Sequence, residues 1–305
     1  MIPFSGNPLN RLSEKRAEAA WIAEKLRHPA SLILPLWRLQ PFLIGGDEAL
    51  KAGFQSPGLV ENLAAPDAPC VFLGLDGERA CFALDISATE DPAGALAGRG
   101  QFRELRGAAA LLPAKDLAIL GQARAMIDWH QRHGFCPKCG APTLSGDAGN
   151  KRVCTACKVE HFPRTDPVVI MLPTQGDACL LGRNKNWAAD FFSAPAGFME
   201  PGESIEEAVR RELFEETGVR AGAVTYYASQ HWPFPSQLMI GCFARCESRA
   251  LKLNGSELAE ARWFTREEAR SILAGEMNGV RKPLPFAIAS HLIRKWVGGC
   301  SIGWG

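Results

Sequence analysis

The alternation of apolar and polar positions divides the chain into elements before any chemistry is considered. Residues 13–27, SEKRAEAAWIAEKLR, read as a helix with Ser13 as N-cap and Glu14 in a first turn where negative charge suits the dipole. Residues 69–87, PCVFLGLDGERACFALDIS, set two apolar runs on either side of Asp76-Gly77, which predicts a β-hairpin. The Gly- and Ala-rich PAGALAGRG, residues 92–100, predicts an exposed loop, and Leu120, Ala123, Ile127 and His130 then recur at helical spacing. A further helix is predicted over residues 205–217, where Ser204 and Glu207 make a capping box and Gly218 stands at the left-handed C-cap position.

That last helix places charge where apolar residues are expected. At about 100° per residue, Ile205, Ala208 and Val209 share one side, and Glu212 and Glu216 continue the same stripe. Glu207, Arg210 and Phe214 point the other way, while Glu215 lies at the edge of the stripe, one turn from Arg211. Two inward carboxylates side by side must share a proton or bind a cation. Oxygen ligands on one helix face suit Mg²⁺ or Mn²⁺, ions that bridge to substrate phosphates.

Composition narrows the classes. The chain has 305 residues, enough for two domains and a small module, and 34 Lys and Arg against 33 Asp and Glu leave a formal charge of +1. Any nucleic-acid contact must therefore be local. No signal peptide is legible, and the apolar stretch SLILPLWRLQPFLIGG is broken by Pro35, Arg38 and Pro41, so a soluble cytoplasmic protein is expected, with no membrane partner. Of ten cysteines, Cys136, Cys139, Cys154 and Cys157 form a C-x2-C, x14, C-x2-C layout with the spacing of a zinc ribbon. Four thiolates leave no open coordination position, so a structural Zn²⁺ is expected. Cys70, Cys81, Cys179, Cys242, Cys246 and Cys300 sit mostly among apolar neighbours and read as reduced, buried thiols. Lys138, Lys151, Arg152 and Lys158 near the ribbon are either a nucleic-acid contact or a solvated face. Downstream, SQHWPFPSQLM puts Trp232 and Phe234 on one side of a segment stiffened by Pro233 and Pro235, to stack on a flat ring or to pack onto the sheet.

The residues around the acidic helix resemble the Nudix box: Gly197, Glu203, Arg211, Glu212, Leu213, Glu215, Glu216, Gly218 and Val219 fill each defined position. The segment after it is similar to the S-Q-P-W-P-F-P-x-S signature of NADH pyrophosphatases, with Ser229, Gln230, Trp232, Pro233, Phe234 and Pro235 matching, His231 in place of a Pro, and Gln237 in place of the Ser. The resemblance implies an α/β (α+β) chain: an N-terminal α+β domain over 1–130, a zinc ribbon over 131–160, and a Nudix α/β/α sandwich with a mixed sheet over 161–305. It implies that Glu212, Glu215, Glu216, the Ala196 carbonyl and Glu257 hold Mg²⁺ or Mn²⁺, with Glu260 the competing acid. Arg211 and Glu203 would brace the site, and Gln230, Trp232, Phe234, Ser236, Gln237 and Ala289 would meet the substrate. The implied reaction is metal-dependent hydrolysis of NAD(H) to nicotinamide mononucleotide and AMP, with NAD-capped RNA as a further substrate and a homodimer as the assembly. The alternatives are a hydrolase of ADP-ribose or dinucleoside polyphosphates, and a module that binds nucleotides or RNA without hydrolysis.

Overall fold

In the computed structural model, residues 2–46, 48–253, 255 and 257–299 are described. Cys300 lies outside them. The chain forms two compact units, one of residues 3–165 joined by 232–236, the other of 166–231 and the residues from 237 onward.

The first unit contains a mixed sheet of β1 (Leu32–Trp37), β2 (Gln40–Gly46), β3 (Ala49–Ala52), β4 (Cys70–Asp76), β5 (Arg79–Asp85) and β6 (Gln101–Phe102). Its order is β3-β2-β1-β5-β4, with β6 also on β2, and β1 runs parallel to β5. The hairpin expected at Asp76-Gly77 is β4–β5, with Asp76 opposite Arg79 and Gly77 at φ 60°. Phe72 and Phe82 face each other in a core with Ile33, Phe42 and Val60. The first helix departs from expectation: Ser13–Lys15 is a single 3-10 turn, and α1 runs only from Ala19 to Arg27, with Glu18 as N-cap. Leu12, at φ 38°, turns the chain before Ser13, which closes no side-chain cap. The stretch at 92–100 is also not a plain loop. After the one-turn helix α2 (Pro57–Val60), the next one-turn helix, α3 (Pro92–Ala95), starts at Asp91, whose carboxylate accepts the Gly94 N–H, and Leu96 is buried in the core. A third short helix, α4 (Leu105–Ala108), precedes α5 (Ala114–Arg132), where Leu120, Ala123, Ile127 and His130 are all buried as their spacing predicted. The ribbon follows as β7 (Thr143–Gly146), β8 (Lys151–Cys154) and β9 (Glu160–His161).

The second unit is an α/β/α sandwich. Its strands are β10 (Asp166–Gln175), β11 (Ala178–Asn184), β12 (Ala196–Phe198), β13 (Ala221–Trp232), β14 (Gln237–Cys246) and β15 (Leu258–Thr265), in the order β13-β14-β10-β11-β15 with β12 also on β10. β10 and β14 are parallel and the β10–β11, β11–β15 and β10–β12 pairs antiparallel, so the sheet is mixed. Successive side chains on β10 go to opposite faces. Val169 and Met171 pack with Ala208, Val209 and Leu213 of α6 (Ile205–Thr217). Ile170 and Leu172 pack with residues of α7 (Arg266–Ala274) and α8 (Ile288–Val297), among them Ile272, Leu292 and Trp296. Among the described residues, no helix is long and apolar enough to cross a membrane.

Candidate metal centre of the second unit and zinc site of the first

In the ribbon, tight turns bring the cysteines together. The Gly140 N–H donates to Cys136 O (2.8 Å), Gly140 adopts φ 75°, and the Cys157 N–H points at the Cys154 sulfur (3.4 Å). All four Sγ atoms lie within 4.8 Å of one another, with Cys136–Cys157 at 3.7 Å and Cys139–Cys154 at 3.4 Å. Tetrahedral Zn–S bonds of about 2.3 Å need sulfurs about 3.8 Å apart, so the four thiols fit a zinc ion. The nearby cations are mostly occupied. Lys151 pairs with Glu160 (2.8 Å) and Asp147 (3.3 Å), and Lys158 donates to Thr155 O. Arg152 turns inward to Thr143 and to Nδ1 of His130, whose Nε2 donates to Gly149 O (2.8 Å). Burial holds the His130 ring neutral, down to about 4, so this imidazole is a fixed tie between α5 and the ribbon. Of the four basic residues singled out from sequence, Lys138 and Lys158 are exposed without an ion pair among the described residues, and Lys158 is tied to the Thr155 carbonyl.

The acids of α6 converge as the helical stripe required. The Ser204 hydroxyl accepts the Glu207 N–H and the Glu207 carboxylate accepts the Ser204 N–H, which fixes the start; Gly218 at φ 71° ends the helix. Arg211 is the hub. Its Nε and one terminal nitrogen grip both oxygens of Glu203 (2.5 and 2.8 Å), and it also reaches Phe198 O (2.9 Å), Glu212 (2.8 Å) and Glu215 (3.2 Å). Glu203 is held down to about 2 by Arg211 and by the Glu200 N–H, so it is a permanent counter-ion for the hub. Phe198 O, an anchor of the guanidinium, has no sequence signature because a backbone carbonyl belongs to every residue.

Glu216 differs from these partners. It is buried, and its Oε2 has no hydrogen-bond partner among the described residues. Burial, then the charges of Glu212 and Glu257, push its carboxyl up to about 8. Burial, with the charges of Glu215 and Glu257, raises Glu212 as well, against the lowering pull of Arg211. Sequence left Glu257 and Glu260 as rivals, and the fold separates them: Glu257 faces Glu216, whereas Glu260 pairs with Arg183 (3.5 Å). A buried carboxylate oxygen left unpartnered among the described residues, with Glu212 and Glu257 beside it, is the donor set of a hard divalent cation, so the residues present fit Mg²⁺ or Mn²⁺. Ala196 and Gly197 line the opposite wall on β12, held against Ile170 and Val169. A Cβ on Gly197 would stand 1.9 Å from Glu212 Cδ.

Three family comparisons match the chain in sequence: a NADH pyrophosphatase-like rudimentary NUDIX domain at residues 30–129, a NADH pyrophosphatase zinc ribbon domain at 131–162, and a NUDIX domain at 163–285. The NAD-capped RNA hydrolase NUDT12 of Homo sapiens is 36% identical over 96% of this chain and 73% of its own length. The NAD-capped RNA hydrolase NudC of Mycobacterium tuberculosis is 36% identical over 78% of each chain, and the mitochondrial NAD(P)H pyrophosphatase NUDT13 of Homo sapiens is 40% identical over 65% of this chain and 60% of its own. The chain belongs to the Nudix hydrolase family. It is accordingly a hydrolase, with Zn²⁺ in its ribbon and Mg²⁺ or Mn²⁺ as the ions of its chemistry. The match at 30–129 adds what sequence reading missed, that the N-terminal α+β unit is itself related to the Nudix fold.

The residues expected to meet the substrate are dispersed in this Nudix chain. Trp232 and Phe234 stand edge-to-face (5.3 Å), and both meet the ring of Phe4 (6.1 and 6.0 Å) within the first unit. The guanidinium of Arg106 lies over both rings, and that of Arg124, which donates to Pro233 O, lies over Phe234. Ser236 belongs to the same segment, while Gln237 opens β14 opposite Asp166. Gln230 is fully buried, with its amide nitrogen on Phe286 O (2.7 Å) and its oxygen on the Ile288 N–H (2.9 Å). Its side chain thus braces the start of α8 instead of facing an open site, and Ala289, in the first turn of α8, is packed in the core beside Ile288 and Leu292.

Two expectations follow for the Nudix site. Gly197→Ala must push Glu212 off its position against β12, and kcat is expected to drop by about tenfold or more while melting temperature changes little. Steady-state rates at saturating Mg²⁺ check this, and an unchanged kcat would show that Glu212 can move freely. The second concerns pH. Between its ordinary value of 4.5 and about 8, folded Glu216 keeps a proton that the unfolded chain releases, so without added Mg²⁺ or Mn²⁺ stability falls as pH rises through that window. Melting curves of wild type and Glu216→Gln from pH 5 to 8 check it: the variant should lose that part of the slope, and Mg²⁺ should raise the wild-type midpoint most at pH 8.

Proposed function

We propose that the protein hydrolyses the pyrophosphate of NAD(H) to nicotinamide mononucleotide and AMP, and cleaves the same bond in an NAD cap on RNA, releasing nicotinamide mononucleotide and leaving a 5′-monophosphate end. The observation that carries this reading is the buried, unpartnered Glu216 oxygen facing Glu212 and Glu257, a cradle built for a cation that a pyrophosphate can bridge. The names of the relatives point the same way. Glu212, Glu215, Glu216, Glu257 and the Ala196 carbonyl would hold the ion; when bound, it supplies positive charge against the oxygens of the breaking P–O bond. Arg211, locked on Glu203 and Phe198 O, keeps the carboxylates of Glu212 and Glu215 oriented before substrate arrives. Water adds across the anhydride: one phosphorus gains the hydroxyl, the bridging oxygen leaves on the other, and a carboxylate of the cradle takes the proton.

A second reading, preference for ADP-ribose, is favoured by one observation: Trp232 and Phe234 are engaged with Phe4, Arg106 and Arg124, leaving less aromatic surface to stack on nicotinamide. Initial rates on NADH, NAD⁺ and ADP-ribose, with products identified by mass, separate the two. The mononucleotide and AMP formed fastest from the dinucleotides support the first reading, and faster turnover of ADP-ribose overturns it. Homodimeric assembly and a cytoplasmic location belong to the same proposal. A monomeric mass in solution would refute the dimer, and fractionation of cells with the tagged chain outside the cytosol would refute the location.

A further inference from the structure

Between β11 and β12 the chain makes a tip that the metal centre does not use. Lys185, Asn186, Trp187, Ala188 and Ala189 are exposed in succession, although Trp187 is the kind of residue a soluble surface usually covers. The tip is fixed at both ends. The Asn186 and Trp187 N–H groups donate to Asn184 (3.0 Å each), and Asp190 holds Arg281 by an ion pair (3.1 Å) and by its carbonyl on the Arg281 N–H (2.6 Å). The Trp187 ring rests edge-to-face on Phe191, centroids 5.0 Å apart, and remains 42% exposed. Its placement relative to the acids is also fixed, since the Lys185 N–H donates to the carbonyl of Glu257 (3.1 Å), the residue whose carboxylate faces Glu216. The Lys185 ammonium has no ion pair among the described residues.

A supported indole with one open face, two residues from an unneutralised ammonium, matches one nucleotide unit: a base to stack on and a phosphodiester to pair with. Free NAD(H) carries two bases and a pyrophosphate but no phosphodiester and no nucleotide beyond its adenosine. An RNA carrying an NAD cap continues from the adenosine 3′ oxygen through a phosphodiester into the next nucleotide. We propose that Trp187 and Lys185 bind the RNA strand beyond the cap, Trp187 stacking on a base and Lys185 meeting a phosphate. This rests on the RNA half of the proposed function and extends it with a subsite that free dinucleotides do not fill. The residues govern which substrate is held, and they do not touch the reacting phosphorus.

The test uses the full chain, with NADH and a short NAD-capped RNA as parallel substrates. Trp187→Ala is expected to lower kcat/KM on the capped RNA by about fivefold or more, mainly through KM, and to leave NADH within about twofold. Trp187→Phe should recover most of the loss, and Lys185→Ala should flatten the salt dependence on RNA alone. Equal losses on both substrates, or no loss on RNA, would overturn the subsite. A wild type that clears NADH but leaves capped RNA intact would remove the RNA half of the proposed function and this subsite with it, with the NADH half standing. If both rates hold while Trp187→Ala changes only the mass in solution, the ring belongs to a contact between copies of the chain and the proposal fails.

Discussion

Replacing Glu216 by Gln is expected to lower kcat by about a thousandfold or more with the fold and the zinc content retained. The side chain is buried, one of its oxygens has no partner among the described residues, and the neighbouring Glu212 and Glu257 add to the cost of ionising it. A carboxylate kept in such a place has its charge offset only when a cation arrives, so the amide removes the reason for the site while keeping its shape. It also removes the charge that opposes folding at high pH, so the variant should melt no lower than wild type at pH 8 in the absence of Mg²⁺. The checks are the rate on NADH at saturating Mg²⁺ and the binding of Mn²⁺ followed by its paramagnetic signal. A rate near wild type would mean that Glu216 is not part of the metal centre.

Cys154→Ser is expected to abolish zinc binding and unfold the ribbon. Its three strands, β7 to β9, hold only ten residues, and Phe135 and Leu144 are exposed, so no apolar core of its own stabilises it. Structural zinc in modules of this kind supplies on the order of 10–16 kcal/mol of apparent binding energy, which becomes folding energy. Cys154 is the buried end of β8 and receives the Cys157 N–H, and a serine oxygen there is both shorter and harder than a thiolate. Zinc analysis should fall from one ion per chain to a small fraction, and limited proteolysis should open new sites between residues 134 and 161. Wild-type protease resistance in a zinc-free variant would show that the Arg152–His130–Gly149 network holds the ribbon unaided.

What sequence discloses here is whatever repeats locally. The ends of α6, the inward turn of Glu212 and Glu216, and the pairing of Glu215 with Arg211 depend on residues within one or two helical turns, and each was legible. The four cysteines were legible because two short knuckles make a zinc site. Contacts across long separations were not. The choice between Glu257 and Glu260 depends on β15 pairing with β11 in a register that sets Glu260 opposite Arg183. Sequence leaves Trp232 and Phe234 between stacking on a flat ring and packing onto the sheet, because nothing near them in the chain announces Phe4, Arg106 or Arg124. Ser13 failed as a helix start for a local reason: the left-handed turn at Leu12 and the short 3-10 segment use the residues that would have formed the first helical turn.

The amide of Gln230 carries a consequence for anyone who wishes to redirect the enzyme. One atom donates to Phe286 O and the other accepts from the Ile288 N–H, 56 and 58 residues away in the chain. Glutamate would keep the second bond and set a carboxylate against a carbonyl, asparagine would fall a methylene short, and leucine would strand both backbone groups in a dry interior. A mutant library that randomises SQHWPFP as one block in search of new nucleotide preferences would therefore consist mostly of misfolded clones. Diversity placed at His231 and Gln237, with glutamine retained at 230, would sample altered selectivity in proteins that still assemble.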